Sequence, residues 1–277
     1  MAKYLIVNAD DFNTDEQRNL GILKAVREGI VTTSSMIVNP VVQEGSLKEL
    51  RETLGRRIGI HLNLTKGVPF TSDANTLVDG SGQFHGKNIV WQRALMGRLD
   101  LKEVETEFAT QISHLKDMGV QPDHIDGNNH IHIFPGIATL VSHLASDFGI
   151  RCIRLPLERF SKWEHYVRPN LFKKVLIGAL SRRAKTIFRT HGLRFTDHFA
   201  GIQFPDVSSL DSLQSFLYDL REGTTELMCH PGYRNPSGNP FSSVEREREL
   251  LSLTHPSVLE RIHRLKINLI SYSEFLE

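Results

Sequence analysis

Short apolar runs alternate along this chain with longer segments in which apolar residues recur at helical spacing. The first run, Tyr4–Ala9, is continuous and contains β-branched residues, which predicts a buried strand. Leu101–Met118 carries a single apolar stripe and is followed by Gly119, which predicts an amphipathic helix and its end. Repeated strand and helix segments predict parallel strands joined by right-handed helical crossovers.

The same pattern divides most of the chain into elements. It predicts strands at Ser34–Val38, Arg57–Leu62, His124–Asp126, Arg151–Leu155, Glu226–Cys229 and Ile267–Ile270. It predicts helices from the N-cap Thr14 to Glu28, then at Glu44–Leu54, Gly136–Phe148 and Leu210–Arg221, with another from Val244. Residues 63–90 and 231–240 are irregular in pattern and rich in turn-forming residues. About seven strand–helix units fit a closed barrel better than an open sheet.

Composition narrows the class of protein. The chain has 277 residues, with 33 basic and 32 acidic side chains and a net charge of +1, which argues against nucleic acid or an acidic membrane as the main partner. Cys152 and Cys229 lie in apolar runs and are expected to be buried thiols of a cytoplasmic protein. We expect no signal peptide and no membrane span. A homodimer is one assembly that the sequence allows.

An acidic pair, Asp10 and Asp11, directly follows the first predicted strand. Two adjacent carboxylates resist joint ionisation, and a bound cation would relieve that cost. A turn with a helix cap is the alternative, because aspartate favours both positions. In parallel barrels, catalytic residues lie at the carboxyl ends of strands. The polar residues at or just past such ends are Asp10, Asp11, His61, Asn128, His130 and His230. Together these positions predict a metal-dependent hydrolase.

The stretch His124–Pro135 holds three histidines, an aspartate and two asparagines within nine residues. Polar residues alternate there with isoleucine, which predicts a strand with one face on a polar cavity. We expect some of these side chains to orient metal ligands, and His132 to contact substrate. Packing alone would not explain so many polar groups in one segment.

Two further residues end predicted strands. His230 precedes a Pro-Gly turn and suits a general acid, because histidine titrates near neutral pH; capping the turn is its alternative role. Arg154 would bind a substrate oxygen or balance the acidic centre, and a plain structural ion pair is equally compatible. The basic segment Ser161–Thr190 is helix-like, and a solvated helical face is favoured there over a binding patch.

Taken in order, these motifs resemble the YdjC-like carbohydrate deacetylases, the group that contains the bacterial chitooligosaccharide deacetylases. The matching segments are Asn8–Phe12, Gly29–Thr32, Gly59–Leu62, His124–Pro135 and Met228–Pro231. The resemblance spans nearly the whole chain. It implies an α/β fold, a distorted TIM-like (β/α) barrel forming a single domain over residues 1–277. It also implies a divalent metal ion, Mg²⁺ or Zn²⁺, and removal of an N-acetyl group from an amino sugar or short oligosaccharide.

The resemblance also implies roles for individual residues. By position, Asp11 and His61 would bind the metal, and Asp10 would be the general base. The third ligand in the family is usually a histidine, and this chain has Asn128 at that position. An amide oxygen suits Mg²⁺ better than Zn²⁺. His130, two residues later, is the alternative ligand, and loss of the metal with activity is a third outcome.

On this interpretation, the metal and Asp10 would activate water for attack on the acetyl carbonyl, and His230 would protonate the departing amine. The substrate would be a small carbohydrate. Two other functions stay open: a non-catalytic sugar-binding relative, and a metallohydrolase acting on another amide or on a phosphoester.

Overall fold

The computed structural model describes residues 2–159, 171–235 and 243–277. Its strands are β1 (Lys3–Phe12), β2 (Thr33–Met36), β3 (Ile58–Leu62), β4 (His124–Gly127), β5 (Cys152–Ile153), β6 (His198–Ala200), β7 (Gly223–Cys229) and β8 (Ile267–Leu269). Its helices are α1 (Glu16–Glu28), α2 (Glu44–Leu54), α3 (Lys87–Leu95), α4 (Leu101–Asp117), α5 (Ile137–Asp147), α6 (Leu171–Thr190), α7 (Leu210–Tyr218), α8 (Val244–Leu253), α9 (Pro256–Arg264) and α10 (Tyr272–Phe275).

These strands form one 8-stranded sheet in the order β5-β4-β3-β2-β1-β7-β6, with β8 paired to β1. Every pairing between named strands is parallel. Isolated bridges join Cys152 to Arg194 and Glu158 to Phe199, so the two edges of the sheet approach each other as it curls. The prediction of an α/β fold with a distorted TIM-like barrel is confirmed.

The core lies on both faces of the sheet. In β1, Leu5, Ile6 and Val7 are all fully buried, which explains why this strand is a continuous apolar run rather than an alternating one. Amphipathic helices cover the outside, and the buried stripe of α4 includes Val104 and Phe108. Parallel strands covered in this way expose only their ends, and the polar groups therefore collect at the carboxyl edge.

Helix α1 begins one residue later than predicted. Asp15, not Thr14, is its N-cap, and the Asp15 side chain accepts a hydrogen bond from the Arg18 backbone N–H at 3.1 Å. The Thr14 hydroxyl instead donates to the Asp11 carbonyl oxygen at 2.7 Å. The hydroxyl thus stabilises the turn that follows the acidic pair.

The prediction of a strand with one polar face beyond β4 is wrong. After Gly127 the chain forms a 3-10 turn over Asn128–Ile133, and Asn129 and His130 have left-handed backbone conformations with φ of 54° and 59°. Asparagine and histidine tolerate this region better than most residues, and here tertiary contacts hold it. Trp91, for example, donates its indole N–H to the Asn129 carbonyl oxygen at 3.1 Å.

Several short elements were not predicted. Strand β6, with only three residues, and helix α10 lie outside the predicted elements. The helix predicted from Val244 is two helices, α8 and α9. Helix α3 begins inside the region predicted to be irregular. The first part of the basic segment and residues 236–240 of the Pro231–Pro240 loop lie outside the described residues. Within the described ranges, no helix has the length and apolar character needed to cross a membrane.

Candidate active site

The acidic pair lies at a bulge near the carboxyl end of β1. The register between β1 and β2 shifts between Ala9 and Phe12, and Asp11 has a left-handed φ of 71°. In a regular strand, neighbouring side chains point to opposite faces, whereas a bulge redirects one of them. Asp10 and Asp11 therefore both line the same cavity.

Asp10 is held by Arg154. The Arg154 guanidinium donates from Nη1 and Nη2 to the two Asp10 carboxylate oxygens at 2.6 and 2.7 Å, and Asn8 adds a bond of 2.8 Å. The same buried guanidinium contacts Asp126 at 2.9 Å and Glu226 at 2.7 Å. Burial opposes the charge, but these carboxylates hold the pKa of Arg154 well above its usual value. Arg154 thus balances the acidic centre.

His61 faces Asp11 with one ring nitrogen and Asp126 with the other. Its Nδ1 lies 2.6 Å from Asp126 Oδ1, and its Nε2 lies 3.6 Å from Asp11 Oδ1. Burial favours the neutral ring, yet Asp126 and the acidic pair raise the pKa of His61. A carboxylate on the far nitrogen is the usual partner of a metal-binding histidine, because it fixes the ring and its tautomer.

Asn128 contacts both Asp11 and His61. Its Nδ2 donates to Asp11 Oδ1 at 3.0 Å and lies 3.4 Å from His61 Nε2. Its Oδ1 accepts hydrogen bonds from Thr65 at 2.6 Å and Asn129 at 2.5 Å. The structure thus brings Asn128 to Asp11 and His61. The His130 ring instead lies 6.3 Å from the Phe199 ring and 6.5 Å from the His132 ring.

Two overlapping groups of side chains could hold a metal ion. Asp10, His61 and Asp126 each offer one ligand atom within 4.8 Å of the others. The carboxylates of Asp10 and Asp126 are, however, already bound by Arg154, so a cation there would compete with a guanidinium. Asp11, His61 Nε2 and Asn128 form the more suitable set, since His61 Nε2 faces Asp11 and its Nδ1 is fixed by Asp126.

His230 lines the cavity with Asp11 and Arg18. Its backbone N–H donates to Glu249 at 2.5 Å, and its carbonyl oxygen accepts from Arg18 Nη1 at 3.1 Å. Burial and the nearby Arg246 lower the pKa of His230 well below the usual histidine value. His230 is therefore neutral near pH 7, and it would have to gain a proton during the reaction before it could donate one.

Asp11 stays ionised despite its burial. Burial alone would raise its pKa, but Lys66, His61 and Arg18 together lower it far below the usual aspartate value. Arg18 Nη1 lies 3.9 Å from Asp11 Oδ2. Sequence reasoning missed Arg18 and Lys66, although Lys66 follows the strand that carries His61 and Arg18 lies in the first turns of α1.

Arg154 and His132 were predicted to contact substrate, and that role stays a prediction. Both are fully buried, and His132 Nε2 lies 3.0 Å from the Arg154 carbonyl oxygen. Neither side chain is among those that line the cavity. Burial and the charge of Arg154 help to lower the pKa of His132 to about 3, although Asp126 opposes them. Their contacts favour support of the acidic centre for both residues.

The cavity above these residues has a volume of about 1120 Å³. Asp10, Asp11 and His61 line its base, and several cationic side chains line its walls. This volume slightly exceeds the usual range for small-ligand pockets, which is about 300–1000 Å³. An extended polar molecule would therefore fit.

Comparison with known proteins identifies the family. A family model described as "YdjC-like protein" matches residues 4–264. The chain belongs to the YdjC-like family. This YdjC-like chain is 33% identical to a carbohydrate deacetylase of Mus musculus, over 92% of its own length and 89% of the relative's. It is also 33% identical to a carbohydrate deacetylase of Brevibacillus brevis, over 98% of each protein.

A solved structure shares the fold of this YdjC-like protein. The crystal structure of a "putative cellobiose-phosphate cleavage protein" from Enterococcus faecalis V583 has a TM-score of 0.79 and 23% sequence identity. The match covers 99% of both chains. At this identity the likeness supports the fold alone.

Proposed function

We propose that this YdjC-like protein is a metal-dependent carbohydrate deacetylase that hydrolyses an N-acetyl group on an amino sugar. The observation that carries the proposal is the corner where Asp11, His61 and Asn128 converge beside Asp10, at the base of the large polar cavity. The names of the two relatives described above support the same activity. The sugar would bind in the cavity with its acetamido group toward this corner.

Asp11 and His61 would hold a divalent cation, with Asn128 as the third group. The donor set fits, since one carboxylate faces an imidazole whose far nitrogen is fixed by Asp126. For the Asn128 oxygen to face the cation, the amide would have to rotate and give up its bonds from Thr65 and Asn129. When bound, the cation would polarise the acetyl carbonyl and lower the pKa of a water molecule.

Asp10 would accept the proton of the attacking water. Its two bonds from Arg154 fix the orientation of the carboxylate, and the residue lines the base of the cavity where the water would bind. As the water oxygen bonds to the acetyl carbon, the C–N bond breaks and the sugar amine leaves with a proton. The proton that Asp10 takes from water would pass to His230, neutral at first, and from His230 to that amine. Acetate and the free amino sugar are the products.

Acetate release tests this function. Wild type should release acetate from di-N-acetylchitobiose in the presence of Mg²⁺ or Zn²⁺, and Asp11→Asn should reduce the rate at least a hundredfold, because the variant loses the carboxylate ligand. Thermal unfolding adds a second readout: a divalent cation that binds the folded state should raise the Tm of wild type but not of Asp11→Asn.

Asp73→Asn is the matched control, since Asp73 is exposed and does not line the cavity. Equal rates for wild type and Asp11→Asn would contradict a metal role for Asp11. Sugar binding without turnover and without a metal-dependent Tm would instead indicate a binding protein.

A further inference from the structure

The backbone of His230 is bound on both sides by side chains from two helices. Strand β7 ends at Cys229, so the sheet no longer supplies partners for the next peptide groups. The His230 N–H donates to Glu249 Oε2 at 2.5 Å, and the His230 carbonyl oxygen accepts from Arg18 Nη1 at 3.1 Å. Glu249 lies on α8 and Arg18 on α1. Two buried side chains thus take over from the strand at this residue.

The His230 ring has no comparable support. Neither ring nitrogen hydrogen-bonds to any residue within 2–159, 171–235 or 243–277. His61 differs, because Asp126 fixes its ring through Nδ1 at 2.6 Å. The place of the His230 ring in the cavity therefore depends on how firmly its backbone is held.

Glu249 is well suited to hold that backbone. It is only 8% exposed, and each of its two carboxylate oxygens has a partner. Oε1 accepts from the Arg246 guanidinium, and Oε2 accepts from the His230 N–H. A hydrogen bond to an ionised acceptor is stronger than one between neutral groups, and the second bond fixes the direction of the carboxylate.

The residues after His230 are docked against the same two helices. The Gly232 N–H donates to the Arg246 carbonyl oxygen at 3.2 Å, and the Tyr233 N–H donates to the Gln17 carbonyl oxygen at 3.0 Å. A Cβ on Gly21 would lie 2.4 Å from the Gly232 Cα, so α1 approaches this loop as closely as backbone allows. The helices that carry Arg18 and Glu249 thus have fixed positions relative to His230.

We propose that Glu249 is a positioning residue that holds His230 where its ring can protonate the departing amine. This inference rests on the proposed function, in which His230 is the general acid. Glu249 would act through the His230 backbone and not through the substrate. Moving a catalytic group by about 1 Å can lower a rate about a hundredfold, so loss of this bond should be visible in kcat.

Two substitutions at Glu249 separate the hydrogen bond from packing. Glu249→Ala and Glu249→Met both remove the acceptor, and methionine keeps most of the volume. Each should lower kcat for di-N-acetylchitobiose at least about thirtyfold, with KM within about twofold of wild type. Glu249→Gln keeps an oxygen for the His230 N–H and should lose less than about tenfold.

Glu260→Ala is the control, because Glu260 is exposed on α9 and does not line the cavity. It should keep the wild-type kcat. A raised KM with an unchanged kcat in Glu249→Met would overturn the proposal, since Glu249 would then bind substrate.

A double-mutant cycle distinguishes positioning from general support of the fold. If Glu249 acts only through His230, adding Glu249→Met to His230→Ala should lower kcat by less than about twofold further. Full additivity of the two losses would contradict the proposal.

The leaving group gives a second distinction. The phenolate of p-nitrophenyl acetate leaves without a proton, so Glu249→Met should hydrolyse this ester within about threefold of the wild-type rate. An equal loss on the ester and on the amide would show that Glu249 supports the whole site and does not serve the proton donor.

Nuclear magnetic resonance tests the clamp even if no sugar is deacetylated. The ring signal of His230 in protein labelled with ¹³C-histidine is assigned by its absence in His230→Ala. It should be shifted or broadened in Glu249→Met and unchanged in Glu260→Ala. An unchanged signal in Glu249→Met would refute the positioning role, whereas a changed signal without acetate release would count against the proposed function alone.

Discussion

At the scale of single residues, the acidic pair has two separate tasks. The bulge at Asp11 lets Asp10 bind Arg154 while Asp11 faces His61 and Asn128. The sequence predicted that two carboxylates lie together at a strand end. It did not predict the left-handed Asp11, because that conformation depends on the strand and turn packed around it.

Asn128 stands where the resemblance to the family implies a histidine ligand. This difference leads to a prediction about metal preference. Asn128→His should raise the affinity for Zn²⁺ at least tenfold, with little gain for Mg²⁺, because an imidazole suits zinc better than an amide does. Titration calorimetry on metal-free protein measures both ions. We expect the zinc-loaded variant to release acetate at least as fast as wild type.

Asn129→His is the control for this change. Asn129 is adjacent and left-handed like His130, but no contact joins its side chain to Asp11 or His61 in the described structure. An equal gain in zinc affinity for both variants would show that Asn128 does not occupy the third ligand position.

At the scale of elements, the C-terminal segment is linked to the acidic pair by buried hydrogen bonds. Strand β8 pairs with β1, and α10 then brings Tyr272 into the sheet interior. The Tyr272 hydroxyl donates to Glu226 at 2.5 Å, and Glu226 accepts from Arg154 at 2.7 Å. A chain of buried hydrogen bonds thus runs from the last helix through Arg154 to Asp10.

Tyr272→Phe should therefore act on Asp10 from a distance. The variant removes one partner from the buried Glu226 carboxylate, so we expect kcat to fall by about threefold to thirtyfold with KM nearly unchanged, and the free energy of unfolding to fall by about 1–3 kcal/mol. Steady-state kinetics and urea unfolding measure these effects.

Tyr218→Phe is its matched control, since Tyr218 is 66% exposed on α7. A normal kcat in a destabilised Tyr272→Phe protein would mean that α10 contributes to folding but does not position Asp10.

At the scale of the whole molecule, buried histidines make stability depend on pH. His132 is fully buried and its pKa is lowered to about 3, whereas an unfolded histidine titrates near 6.5. Below pH 6.5, His132 takes up a proton in the unfolded chain but stays neutral in the folded protein. The folded state therefore loses stability as the pH falls. Between pH 7 and pH 5, the titration of this one residue should lower the free energy of unfolding by about 2 kcal/mol.

His132→Gln tests this linkage. Its free energy of unfolding, measured with urea at pH 7 and pH 5, should fall less than that of wild type by about 2 kcal/mol, because the titrating group is gone. His61 and His124, whose pKa values are raised by their carboxylate partners, act in the opposite sense and remain in both proteins.

His263→Gln provides the comparison at an exposed position and should keep the wild-type pH dependence. A difference between wild type and His132→Gln that is the same at both pH values would contradict the assigned proton linkage.

The sequence by itself determined the succession of parallel strands and helices and the polar residues placed at strand ends. Both follow from local patterns, the period of apolar residues and the position where each run stops. It could not decide between Asn128 and His130, since the answer depends on a left-handed turn and on a contact between residues 117 positions apart. Only the tertiary structure joined Arg154 to Asp10 and brought Lys87, Lys173 and His130 to the lining of the same cavity, because these groups come from elements that meet only when the sheet curls.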